Sequence, residues 1–186
     1  MMSSNTHVGD SSDHLVAIMS STPVSGVELR AESFTSSAAR RLLALADAYN
    51  TRLYGHADAS PLEPEEFEPA RGGLFLVAYR DGELVACGGL RTAHPPAPSG
   101  AGEVKRMYVV EVARRQGLGQ VVLTALEEAA QRFGYSQVVL DTGRKQAAAH
   151  ALYEARGYHR IPGFTIYRDS PGNRAYAKLL SPEGVG

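Results

Sequence analysis

Arg114-Arg115-Gln116-Gly117-Leu118-Gly119 is the stretch on which the reading of this chain turns. It follows an apolar run, Glu103 to Val110, that reads as a strand. It opens a segment in which Leu118, Val121, Val122, Ala125, Leu126, Ala129, Ala130 and Phe133 recur at i, i+3, i+4 spacing, an amphipathic helix that Gly134 ends. A helix start offers unpaired N–H groups and the positive end of the peptide dipoles, and Gly117 and Gly119 let an anion approach the backbone with no Cβ in the way. Such a turn suits a phosphate or pyrophosphate; alternatively it only joins strand to helix.

Outward from this turn the chain alternates between helical and extended periods. Upstream, Val27 to Ser33 reads as a strand and Ser37 to Leu53 as a helix capped by Ser36 or Ser37. Residues 61–69 carry four glutamates and begin with proline, as the first turn of a short helix does. Leu74 to Tyr79 and Glu83 to Leu90 flank Asp81-Gly82, the dipeptide of a type I′ hairpin. The Pro- and Gly-rich stretch His94 to Gly102 is a loop. Downstream, Gln137 to Leu140 is a short buried strand, Gln146 to Arg156 a helix closed by Gly157, and Arg174 to Leu180 a final strand.

Length and charge bound the partners. The 186 residues make one domain the default, with residues 1–26 a Ser/Thr-rich leader, Met19 a second candidate start, and 27–186 the domain. Nineteen basic against twenty acidic residues leave no field to hold a nucleic acid. A single cysteine, Cys87, excludes an internal disulfide, and the six histidines lack metal-ligand spacing, so no metal is expected. With no membrane-spanning run and no charged start to a secretory signal, a cytoplasmic location is expected.

Three phosphate-binding readings compete. A Walker loop fails because Gln120 and Val121 follow Gly119 instead of Lys-Ser/Thr. A dinucleotide fingerprint would use Asp141 for the ribose, but Val122 replaces its third glycine and the turn is too far from its strand. The third reading takes in more of the chain. Arg114-x-x-Gly117-x-Gly119 after Lys105-Arg106-Met-Tyr-Val-Val110, then Leu140-Asp-Thr-Gly143, then Ala149-x-x-Leu152-Tyr153-x-x-x-Gly157-Tyr158, resembles the GNAT superfamily of acetyl-CoA-dependent N-acetyltransferases.

The resemblance implies an α/β (α+β) fold with a mixed, mostly antiparallel sheet whose splayed strands, 103–110 and 137–141, hold the acyl thioester between them. It implies that Met107, Tyr108 and Val109 hold the pantetheine arm and that amides of Arg114, Arg115, Gln116, Gly117, Leu118, Gly119 and Gln120 hold the pyrophosphate of acetyl-CoA. Gln146 and Ala149 join the cofactor contacts, and Arg114, Arg115, Arg144 and Lys145 are either contacts to outer phosphates or solvated charges. Tyr153 stands at the family's general-acid position, or else packs, and Glu103 resembles the base glutamate of one branch, or else is an exposed strand-end charge.

Acetyl transfer to an amine wants a base for the amine and an acid for the leaving thiolate. Gln146, Ala149, His150 and Tyr153 share one helix face, while Ala148, Ala151, Leu152 and Ala155 make the stripe expected to face the core. Cys87, in an apolar strand, reads as core rather than nucleophile. Tyr49, Tyr54, His56, Glu103 and the acidic segment Glu63, Glu65, Glu66 and Glu68 are the expected acceptor lining, with Ile161 to Tyr167 opposite. The acceptor is a small-molecule or peptide amine; the alternative is a non-catalytic acyl-CoA-binding or sensing module. A homodimer is compatible with the fold, and the final strand is the expected place for it.

Overall fold

Alternation and helical periodicity resolve into seven strands and three α-helices in a computed structural model, which describes residues 26–181. The expected leader and alternative start lie outside those residues, apart from Gly26. The strands are β1 (Val27–Ala31), β2 (Leu74–Arg80), β3 (Glu83–Thr92), β4 (Ala101–Val109), β5 (Gln137–Gly143), β6 (His159–Ile161) and β7 (Asn173–Leu179). The helices are α1 (Ser37–Tyr54), α2 (Leu118–Arg132) and α3 (Ala147–Ala155). The sheet runs β1-β2-β3-β4-β5-β7-β6 and is antiparallel throughout except for the β4–β5 pair. This is the mixed, mostly antiparallel sheet expected.

Local chemistry accounts for most boundaries. The Ser36 hydroxyl accepts from the Ala39 amide and starts α1. Asp81 and Gly82 both take positive φ, 51° and 81°, as a type I′ turn requires. The glutamate-rich segment forms two short 3-10 turns, Pro64–Phe67 and Pro69–Arg71, rather than a helix. The second proline denies the first turn a hydrogen bond with which to continue.

Each sheet face buries one layer. Ala39, Leu42 and Ala46 of α1 cover Phe75, Val77, Cys87 and Tyr108. On the other face Leu118, Val122, Leu123 and Leu126 of α2 cover Leu74, Leu76, Leu90, Val104, Val138 and Leu140. Each buried Val, Leu or Phe side chain contributes roughly 1.5–3 kcal/mol by leaving water.

Two further expectations are corrected, and one strand appears that the sequence did not announce. In α3 the Gln146, Ala149, His150 and Tyr153 face turns inward, while Ala148, Ala151 and Ala155 are exposed. Burying a tyrosine removes far more apolar surface than burying alanines, so the large ring sets the helix's rotation. Strand β6 was not foreseen, because three residues, His159–Ile161, give alternation too little length to register. That strand also covers β7 at Ala175 to Ala177, so the sheet's outer strands are β1 and β6, and the final strand is not the outermost one.

Candidate active site

The sheet parts at its centre. Strands β4 and β5 pair only at Ala101–Gln137, Gly102–Val138 and Glu103–Val139. Beyond those residues β4 stays bonded to β3 and β5 to β7, so the two edges that face each other have no strand partner. A bulge accompanies the parting: Arg106 and Met107 together oppose Gly88, between the Cys87–Tyr108 and Gly89–Lys105 pairs. Arg106 takes φ of 56° there, a conformation disfavoured without glycine. Its guanidinium holds it, 3.2 Å from both Asp47 of α1 and Asp58.

At the mouth of this parting lies the turn that opens α2. Gly117 caps the helix in the left-handed region at φ 79°, and no side chain caps it. From Arg115 through Gln120 no backbone N–H finds an acceptor among the described residues; the next bond is from Val121 to the Gly117 carbonyl. A run of unpaired donors at a helix start has the chemistry that suits an anion. Gly119 has a packing role, since a Cβ there would lie 3.3 Å from Leu152 Cδ2 and 3.8 Å from Val109. It lets α2 pack on α3 and β4.

The basic residues separate by what already holds them. Arg114 donates from Nε to the Val109 carbonyl at 3.1 Å and lies 4.1 Å over the Tyr49 ring, so it fastens the turn to β4 and α1. Lys145 donates to the Leu53 carbonyl at 2.6 Å. The Gln116 side chain accepts from Arg80. Arg115 and Arg144 are exposed. Tyr108 is buried beneath α1, whereas Met107 and Val109 pack toward α2. Gln146 and Ala149 are half-buried at the start of α3.

Tyr153 is 5% exposed, its ring 5.8 Å from those of Tyr158 and Tyr176. Burial, then the Asp141 carboxylate and Tyr176, raises its phenol above the ordinary tyrosine value. Among the described residues its hydroxyl makes no hydrogen bond. Glu103 is not an exposed strand-end charge: it is 1% exposed, on the α1 side of β4. Arg91, directly opposite on β3, donates to its Oε2 at 2.8 Å. Lys105 Nζ lies 3.3 Å from Oε1, outside hydrogen-bonding geometry, and Oε1 has no hydrogen-bond partner.

Residues 39–158 match the acetyltransferase (GNAT) family. The chain belongs to that family. A solved acyl-CoA N-acyltransferase from Klebsiella pneumoniae is 30% identical, with a TM-score of 0.69 over 83% of this chain and 98% of its own. A GNAT acetyltransferase from Elizabethkingia anophelis, solved with acetyl-CoA bound, shares the fold at 17% identity, TM-score 0.59, over 84% of this chain and 99% of its own. A curated relative, the IAA acetyltransferase of Azospirillum brasilense, is 33% identical over 97 residues, 52% of this chain. The match spans 61% of that relative's length.

In this GNAT fold the sequence reading missed a chain of buried charges. Glu66, Arg91, Glu103, Lys105 and Asp141 link in that order, and Thr165 donates to Asp141 at 2.6 Å. Burial opposes the Lys105 charge, but Asp141 and Glu103 outweigh it and raise the ammonium's pKa. The signal was faint: Glu103 and Lys105 stand two apart in a strand, which puts both on one face, but only the register brings Arg91 opposite. Of the expected acceptor lining, Glu63 and Glu66 border the groove above this chain, and Phe164, Thr165 and Ile166 form its other wall. Tyr54 packs on Gly143 instead, where an added Cβ would meet its hydroxyl at 2.2 Å. His56 is exposed, its ring 2.8 Å from the Ala57 carbonyl. Glu65 and Glu68 are exposed as well.

No group of three or more His, Cys, Asp or Glu side chains among the described residues is placed to hold a metal ion. No helix there is long and apolar enough to cross a membrane.

Proposed function

We propose that this GNAT protein transfers the acetyl group of acetyl-CoA directly to a primary amine of a small molecule or peptide. The observation that carries the reading is the run of free amides from Arg115 to Gln120 beside the unpaired edges of β4 and β5. A diphosphate fits the amides, and the two edges, with backbone N–H and C=O groups unspent, fit the amide-bearing pantetheine arm. Bound there, acetyl-CoA supplies an acetyl thioester: the N–C bond forms as the C–S bond breaks, with one proton leaving nitrogen and one reaching sulfur.

The chain's own residues handle those protons. Glu103 Oε1, which lacks a hydrogen-bond donor, accepts from the amine directly or through water. Tyr153 keeps its proton over the working pH range and offers it to the sulfur. Cys87 is not an acyl carrier: it is fully buried, and desolvation pushes its thiol up to about 12. The absence of a second cysteine to pair with it is compatible with a cytoplasmic setting.

A thiol-release assay with acetyl-CoA and amines of graded size and charge tests this reading. Release that depends on one amine class supports it. The second reading, an acyl-CoA sensor, draws on the ion pairs that Glu103 already makes. It predicts tight acetyl-CoA binding and no release with any amine.

A further inference from the structure

The groove over the buried charges shows which kind of amine suits it, an inference that rests on the transferase reading above. It encloses about 290 Å³ between Ser60 and Pro61 on one side and Phe164 to Ile166 on the other, with Arg91, Glu103 and Lys105 in its floor. Two buried polar atoms of its lining have no hydrogen-bond partner, Glu103 Oε1 and Ser60 Oγ. The residues that carry them are 1% and 8% exposed. Unsatisfied buried polar atoms are costly, and the residues that carry these two line the same groove. A carboxylate oxygen can only accept, and a hydroxyl can accept or donate, so a group rich in N–H donors satisfies both.

The cations of the floor already face carboxylates of the chain itself. Arg91 gives Nε and Nη2 to Glu103 and Nη1 to Glu66 and the Pro61 carbonyl. Lys105 lies between Asp141 and Glu103. Three carboxylates, Glu66, Glu103 and Asp141, thus face two fixed cations, an excess of one negative charge that His94, 2.6 Å from the part-exposed Glu66, offsets when protonated. Arg168, at the rim, is exposed and pairs with Asp169 at 3.4 Å. A ligand carboxylate near the amine finds no free cation in the floor and meets Glu103 as a like charge.

We infer that the acceptor is a compact primary amine with no carboxylate beside its nitrogen, seated with its N–H groups on Glu103 Oε1 and Ser60 Oγ. Amino acids and free peptide N-termini with a nearby acid group are excluded; monoamines of aromatic or short aliphatic type fit.

The test is calorimetric binding of matched pairs to the full chain saturated with coenzyme A: tyramine against tyrosine, histamine against histidine, phenethylamine against phenylalanine. The inference expects the amine of at least one pair to bind at least about tenfold more tightly than its amino acid. It also expects Ser60→Ala to weaken that amine several-fold while leaving coenzyme A affinity unchanged. Equal or tighter binding of the amino acids, no binding by any amine, or an indifferent Ser60→Ala variant overturns it. Thiol release, read separately with acetyl-CoA, keeps the two claims apart. Selective amine binding without release contradicts the transferase reading alone, whereas release without selectivity contradicts the acceptor class alone.

Discussion

At Tyr153 the issue is what a phenol can do once burial has raised its pKa. Desolvation, Asp141 and Tyr176 all favour the protonated form, which suits the proposed role of proton donor and not that of a base. Tyr153→Phe keeps the ring packed against Tyr158 and Tyr176 and removes only the hydroxyl. It is expected to lower kcat by about 10²-fold while the acetyl-CoA Kd stays within about twofold, measured by steady-state thiol release and calorimetry. Unchanged kcat removes Tyr153 from the mechanism. Because the phenol titrates above its ordinary value, kcat for the wild type should show no alkaline fall from this group below about pH 10. Lys105 gives a second test. Lys105→Met leaves Glu103 and Asp141 buried without their shared cation and is expected to cost about 3–5 kcal/mol in urea unfolding. A loss under about 1 kcal/mol would mean that the pair is as well solvated as a surface one.

At the scale of elements, Gly117 carries the prediction. Its φ of 79° lets the chain turn into α2 with its first amides outward, so Gly117→Val strains the turn by about 1–2 kcal/mol and tilts the cradle. Weaker acetyl-CoA binding, with the strand pairing intact by circular dichroism, is the expected outcome; unchanged affinity contradicts it. The long helix around Leu118 to Ala130 and the Asp81-Gly82 hairpin were legible in the sequence because periodicity and turn chemistry write them in side chains. The parting of β4 from β5 was available only through family resemblance, and the bulge at Arg106 was not foreseen. Both are backbone events with no composition of their own. The rotation of α3 was misread, because alanine spacing says little when one tyrosine outweighs it. Glu103 and Tyr153 could be singled out by motif position, whereas Arg91, Lys105 and Ser60 needed register and loop path before they met.

For the whole molecule, acid is the natural probe, since carboxylates tie the loops around the groove to the sheet. Burial works to raise the Asp58 carboxyl, but Arg106 and the Ser60 amide outweigh it and hold it below 3.8. For Glu66, burial likewise yields to the Glu63 amide, His94 and Arg91, and the group sits below 4.5. Folded-state values below the unfolded ones mean stability that is present above those pH values and lost as pH falls through the depressed ones. Thermal unfolding should therefore show Tm falling as the pH drops below about 4.5, and Asp58→Asn should flatten part of that slope. An unaltered slope in the variant would show that Asp58 does not anchor the groove wall to Arg106. The same molecule-wide frame, a sheet split at its centre with free amides at the mouth, is what makes the transferase reading specific. Its most direct test is an amide-resolved NMR titration of the full chain with acetyl-CoA. Saturable shifts concentrated at Arg115 to Gln120 and along Met107 to Val109 are predicted; amides 115–120 that stay unmoved while acetyl-CoA binds elsewhere, or does not bind, contradict the account.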